Sequence, residues 1–151
     1  MSQYNEYNIE KVLEDWKIEG PIQKVFENIK EKDNSIGIIA VLKYNYLTLK
    51  EINKNKHKFI LINDGIEIPG NLGTIYRSAY ATGVDLIINV DCKTDISKPK
   101  FISSSRGCLF YLPTVKSTYD EVQKFLIDNN YRIILCEPNQ KNYYHKFNYS
   151  K

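Results

Sequence analysis

The residues best suited to chemistry lie in one stretch, Asn63-Asp64-Gly65-Ile66-Glu67-Ile68-Pro69-Gly70-Asn71-Leu72-Gly73-Thr74-Ile75-Tyr76-Arg77-Ser78-Ala79. An apolar run leads into it and a helical pattern leads out of it. The sequence therefore predicts a strand, a glycine-bearing loop and a helix. Gly70 and Gly73 have no Cβ, so the backbone there can approach a ligand or a neighbouring strand closely. Asn71 is placed to cap the helix, and a helix N-terminus can receive an anion such as phosphate. Arg77 offers a planar fork that is always charged and can hold a phosphate or a ribose. Six residues separate Asn71 from Arg77, about 600° of helix, so the two meet only if Asn71 sits at the loop edge. The same residues also suit an ordinary loop-to-helix turn, with Asn71 as the cap and Arg77 on the surface. Gly-x-x-Gly before a helix is a weak motif, and on these residues alone both readings stay open.

Arg77 stands out against its background. Of 21 basic residues only Arg77, Arg106 and Arg132 are arginine, in a chain otherwise rich in Lys, Asn, Ile and Tyr. An arginine that persists among so many lysines points to a need for its fork. The other reactive types say less. Cys92, Cys108 and Cys136 form no C-x-x-C pair, which argues against a disulfide framework or a zinc site, and no metal is expected. Cys108 and Cys136 sit in apolar stretches and read as buried small hydrophobes. His57 and His145 lie in polar surroundings and read as surface residues.

These residues must be positioned by the elements around them. With 151 residues, 42% hydrophobic and 26% charged, the chain matches an ordinary globular domain. No apolar run approaches the roughly 18 residues of a membrane span. The N-terminus has no basic segment followed by an apolar one, so the expected location is the cytoplasm. The net charge of +3 is compatible with a nucleic-acid partner but does not indicate one. Amphipathic patterns occupy residues 9–16 and the stretch after Pro21, and Ile36–Leu42 reads as a buried strand. The polar stretch Thr48–Lys58 is the expected boundary between an N-terminal piece, residues 1–50, and a main domain, residues 55–151.

Strands and helices then alternate. Phe59–Ile62 reads as a strand buried on both faces, and Asn71–Thr82 as a helix stopped by Gly83. Asp85–Val90 follows as a strand, and Pro99–Ser105 as a short helix. Leu109–Pro113 is a strand, Tyr119–Asn129 a helix, and Arg132–Cys136 the last strand. The order predicts an α/β fold with a mainly parallel, Rossmann-like sheet and flanking helices.

The stretch from Ile62 to Val90, INDGIEIPGNLGTIYRSAYATGVDLIINV, resembles motif 1 of the SpoU/TrmH branch of the SPOUT RNA methyltransferases. It keeps Asp-Gly, Pro-Gly-Asn-x-Gly and the arginine at fixed spacing. Lys98–Val115, KPKFISSSRGCLFYLPTV, is similar to motif 2, and Ile36–Lys43 resembles the run ahead of the catalytic domain. Ser105–Gly107 with Phe110 leans toward the thiopeptide-resistance-like ribosomal RNA members. The resemblance covers about residues 35–137. It implies methyl transfer from S-adenosylmethionine to a ribose 2′-hydroxyl of ribosomal or transfer RNA, by a homodimer. Asn71 and Arg77 would be the catalytic pair, with Arg77 activating the hydroxyl. A guanidinium is a poor base, so it would act with help from the substrate or by stabilising a developing alkoxide. Glu67, Gly70, Gly73, Ser105 and Arg106 would face the RNA. For Glu67 a solvated loop carboxylate is the plainer alternative, and for Ser105 a helix-end hydroxyl.

Part of the family pattern has no match. No Gly-x-Glu-Gly and no Ser-Leu-Asn occurs, so motif 3, which forms the trefoil knot and binds S-adenosylmethionine, is not found. The expectation is a partial methyltransferase domain behind a remnant of an RNA-binding domain, inactive by itself. The alternative is a non-catalytic RNA-binding module, with Lys50, Lys54, Lys56, Lys58, Lys93, Lys98 and Lys100 as phosphate contacts or as a plain solvated surface. A Rossmann-type nucleotide binder is disfavoured, because the full G-x-G-x-x-G spacing with a following acidic residue is not present.

Overall fold

Three short strands carry the site. The computed structural model describes residues 43–136, 143–146, 148 and 149. Patterns read at residues 9–16, after Pro21 and at 36–42 lie outside the described residues. The chain divides into compact units Met1–Tyr44 and Asn45–Lys151, and the second contains everything below.

Strands β1 (Ile60–Asp64), β2 (Leu86–Val90) and β3 (Thr114–Ser117) pair in parallel in the order β1-β2-β3. The register sets Asn63 beside Asn89 and Ile88 beside Val115. β2 is the central strand, and all five of its residues are buried. β1 is an edge strand, largely half-buried, with Phe59 just ahead of it 53% exposed. Burial on both faces, expected for Phe59–Ile62, belongs instead to β2, whose alternate residues are covered by different helices, Leu86, Ile88 and Val90 by Val122 and Leu126 and Asn89 by Tyr76. Leu47 adds one parallel bridge to Val115, its N–H donating to the Thr114 carbonyl at 2.9 Å.

Helix α1 (Pro69–Ala81) connects β1 to β2. Proline suits its first turn, where no N–H is needed. The helix therefore starts at Pro69 with Ile68 as the capping residue. Asn71 lies inside the first turn and is not the cap, which corrects the sequence reading. At the other end Gly83 takes φ +76°, as expected. Its N–H bonds the Tyr80 carbonyl at 3.3 Å and that of Val84 bonds Ala79 at 3.0 Å, a complete Schellman stop.

Helix α2 (Pro99–Ser105) matches its prediction and ends on two consecutive left-handed residues, Arg106 and Gly107. Leu109–Pro113 departs from its prediction. A 3-10 turn, Cys108–Phe110, replaces the strand. The turn buries Leu109 and Leu112, three residues apart, and exposes Phe110 and Tyr111. The ladder starts after Pro113, which has no N–H to donate.

Helix α3 (Tyr119–Asp128) opens with Thr118 and Glu121 in a capping box. The Ser117 hydroxyl and the Thr118 N–H, both donating to Glu121, hold its carboxyl below the usual carboxylate range. Val122 and Leu126 of α3 pack on Leu86, Ile88, Val90 and Val115. Alternate residues of β2 face the opposite way, where Asn89 bonds Tyr76 of α1.

Arg132–Cys136 pairs with no strand among the described residues, and Ile133 and Leu135 are 60% and 74% exposed. A strand needs a partner to take its backbone bonds, and local composition cannot supply one. Cys136 is accordingly exposed rather than buried, while Cys108 is half-buried.

Candidate functional site

At 100° per residue, positions 70, 73, 77 and 80 form one line along α1. α2 and its following turn pack on this line. A Cβ at Gly70 would meet Lys100 Cε at 3.7 Å, an ordinary contact. A Cβ at Gly73 would overlap Ser104 Oγ and come within 2.8 Å of the Phe101 carbonyl oxygen and 2.9 Å of the Ser105 nitrogen. Further along, the Tyr80 ring lies 5.4 Å from that of Tyr111. Arg77, which is exposed, thus lies along the α1–α2 seam, between the Gly73 and Tyr80 contacts.

The other candidates distribute unevenly. Asn71 is helical and exposed, about 120° round the helix from Arg77, so the two do not share a face. Gly73 is buried, and its role in the fold is close packing of α2. Ser105 is 1% exposed and its hydroxyl donates to the Ile102 carbonyl at 3.0 Å, the helix-end alternative weighed above. Arg106, exposed and left-handed at φ +51°, caps α2 at the same seam. Glu67 forms an exposed ion pair with Lys93 ahead of α1. Such a pair contributes about 0–1 kcal/mol. Of the lysines read as phosphate contacts, Lys93 is thus engaged by Glu67, and Lys54 donates to the Asn129 carbonyl.

Beneath the seam runs a buried polar chain that the sequence reading missed. Asn63 Nδ2 donates to Asn89 Oδ1 at 3.0 Å, and Asn89 Nδ2 donates to the Tyr76 hydroxyl at 2.9 Å. Tyr76 lies 3.1 Å from Thr114 Oγ1, which donates to the Leu112 carbonyl at 3.2 Å. All four side chains are 5% exposed or less. With Thr114 donating onward, the donors run in one direction from β1 through β2 and α1 to β3, so each bond polarises the next. Among the described residues no buried side-chain polar atom lacks a partner. Edge-to-face packing on Phe101, with centroids 4.9 Å apart, holds the Tyr76 ring on its other side. The residue before Arg77 is therefore bonded to β2 and β3, and through Asn89 to β1. The readable signal was an amide at the fourth position of both apolar strands, ILIND and LIINV.

A recess of about 450 Å³ lies elsewhere, between Leu49–Ile52 and α3, with Lys50, Glu121, Lys124 and Asp128 at its sides. No described helix is long and apolar enough to cross a membrane.

A model described as the SpoU rRNA methylase family matches residues 58–151. The chain is 36% identical over 83 residues to a 23S rRNA (adenosine(1067)-2′-O)-methyltransferase of Streptomyces laurentii, covering 54% of this chain and 31% of that protein. A Bacillus subtilis 23S rRNA (guanosine(2553)-2′-O)-methyltransferase is 37% identical over 57 residues, 38% of this chain and 23% of that protein. The chain thus spans about a third or less of the length of these two curated relatives. Among solved structures, an AdoMet-bound rRNA methyltransferase from Sinorhizobium meliloti aligns with a TM-score of 0.64 and 27% identity, over 70% of this chain and 40% of that one.

Proposed function

This chain belongs to the SpoU rRNA methylase family, whose model covers residues 58–151, and from that premise we propose that its protein methylates a ribose 2′-hydroxyl of RNA. S-adenosylmethionine is the proposed donor and supplies the electrophilic methyl group when bound. The named rRNA 2′-O-methyltransferases and the AdoMet-bound neighbour support this reading. A cytoplasmic location and a homodimer go with the same family reading.

One observation carries it. The motif glycine Gly73 brings α2 hard against α1, and Arg77 stays exposed along that seam. A guanidinium there can hold the phosphate beside the reacting ribose and stabilise the alkoxide as the hydroxyl loses its proton. Arg77 is a poor base, so its proposed role is orientation and charge stabilisation. Asn71 cannot join it on the same face and is proposed to contact the substrate from the other flank. Gly70, Arg106 and Glu67 are exposed or half-exposed and are proposed to border the RNA. Gly73 and Ser105 are proposed to act through packing. The recess beside α3 lies away from the seam, and no described residue is assigned to the donor.

The test is transfer of a labelled methyl group from S-adenosylmethionine to ribosomal RNA by the full-length protein. Label on a ribose 2′ oxygen is the expected result. Arg77→Lys keeps the charge and loses the fork. It should lower transfer about tenfold with donor affinity, read by calorimetry, unchanged. Unlabelled ribose in a folded sample would sink the proposal, and undiminished transfer by Arg77→Lys would remove the arginine from it.

A further inference from the structure

At the end of the seam, one turn beyond Arg77, two large aromatic rings face solvent side by side. Tyr80 is 49% and Tyr111 70% exposed, with ring centroids 5.4 Å apart and planes tilted by 38°. Phe110 next to them is 53% exposed. The two segments that build this surface, residues 68–84 and 96–115, contain Arg77, Lys98, Lys100 and Arg106 and not one carboxylate. The flanking acids include Glu67 and Asp95, which are paired with Lys93 and Lys116, so the four cations of the two segments suit an anionic partner.

We propose that Tyr111, backed by Tyr80, is a stacking platform for an unpaired RNA base, placed so that the flanking phosphates reach Arg77 and Arg106. The proposal rests on the reading of the chain as part of an RNA methyltransferase. It adds what selects the strand: a base already splayed out of a helix. Single-stranded RNA is recognised by stacking on aromatic faces, and duplex RNA by shape. The ring spacing decides the geometry. A base sandwiched between two rings needs about 7 Å, twice the roughly 3.4 Å repeat of stacked bases. At 5.4 Å the rings already contact each other, so the base lies on the outer face of Tyr111. Tyr80 then holds Tyr111 in place, and Tyr111 makes the contact.

The experiment uses a short single-stranded RNA carrying one 2-aminopurine, whose fluorescence falls on stacking. The full-length protein is expected to quench the probe and to bind in a salt-dependent way. Tyr111→Ala should weaken binding about tenfold and abolish the quench, while leaving the slope against salt unchanged. Tyr111→Phe keeps the ring and should bind like the parent. Far-UV circular dichroism of Tyr111→Ala should match the parent, since the side chain is mostly exposed. RNA binding unaffected by Tyr111→Ala would overturn the platform and leave the methyltransferase reading standing. A parent protein that methylates ribosomal RNA yet neither binds nor quenches the probe would also overturn it. A change of sedimentation on Tyr111→Ala, with RNA binding intact, would show the face to be a contact between copies and would overturn it as well.

Discussion

Gly73→Ala is expected to destabilise the domain by about 2 kcal/mol, although alanine is the better helix former. Inside a helix the swap by itself favours alanine by about 1 kcal/mol. Here the added Cβ meets Ser104 Oγ, the Phe101 carbonyl oxygen and the Ser105 nitrogen. The serine side chain can rotate away, but the two backbone atoms belong to α2 and cannot. Overpacking of this kind costs about 1–3 kcal/mol, and the upper end applies because whole-helix movement is the only relief. Gly70→Ala is the internal control. Its Cβ would touch only the flexible Lys100 side chain, at 3.7 Å and 3.9 Å. That variant should be as stable as the parent or gain up to about 1 kcal/mol. The urea midpoint of Gly73→Ala should therefore fall, while that of Gly70→Ala should hold or rise. Equal midpoints would mean that α1 and α2 do not pack this closely. In Gly73→Ala the seam proposed to border RNA should widen as α2 shifts, so affinity for the single-stranded probe should fall as well.

A larger loss is expected for Asn89→Leu, about 3 kcal/mol. Leucine fills a similar volume, so no cavity dominates. The cost is polar. Asn63 Nδ2 loses its acceptor and the Tyr76 hydroxyl loses a donor, both away from water. A buried group left without its partner costs about 1–3 kcal/mol, whereas replacing both partners with apolar groups is close to neutral. The double variant Asn63→Leu/Asn89→Leu should therefore be more stable than Asn89→Leu, a non-additive cycle read by urea unfolding. Strict additivity would show that the two amides do not pair. The effect reaches the site, because Tyr76 fixes the backbone that carries Arg77. Destabilisation should be accompanied by weaker RNA binding.

Both predictions concern residues whose importance the sequence only partly disclosed. Alternation of apolar strands and amphipathic helices is set by local patterning, and it determined the α/β class and its parallel sheet. Gly83 as a helix stop and Pro99 as a helix start were legible for the same reason: each depends on one residue's own φ or missing N–H. The Pro-Gly-Asn-x-Gly…Arg spacing was enough to place the chain in its family and to single out Arg77.

Contacts between segments were not legible. That Gly73 faces the backbone of α2 depends on where α2 packs. That Asn71 and Arg77 lie on different flanks depends on where the helix begins, and Pro69 began it two residues early. The amides of Asn63 and Asn89 look unremarkable until the register of β1 and β2 sets them side by side. Leu109–Pro113 has a strand's composition but became a turn, because the left-handed pair before it redirected the chain. Arg132–Cys136 has the composition of a strand as well, and pairing with a neighbour is not a property of its own residues. The sequence by itself determined the periodicities, the stops and the motif. The tertiary structure alone decided which side chains meet, because hydrogen bonds and close packing join residues far apart in the chain.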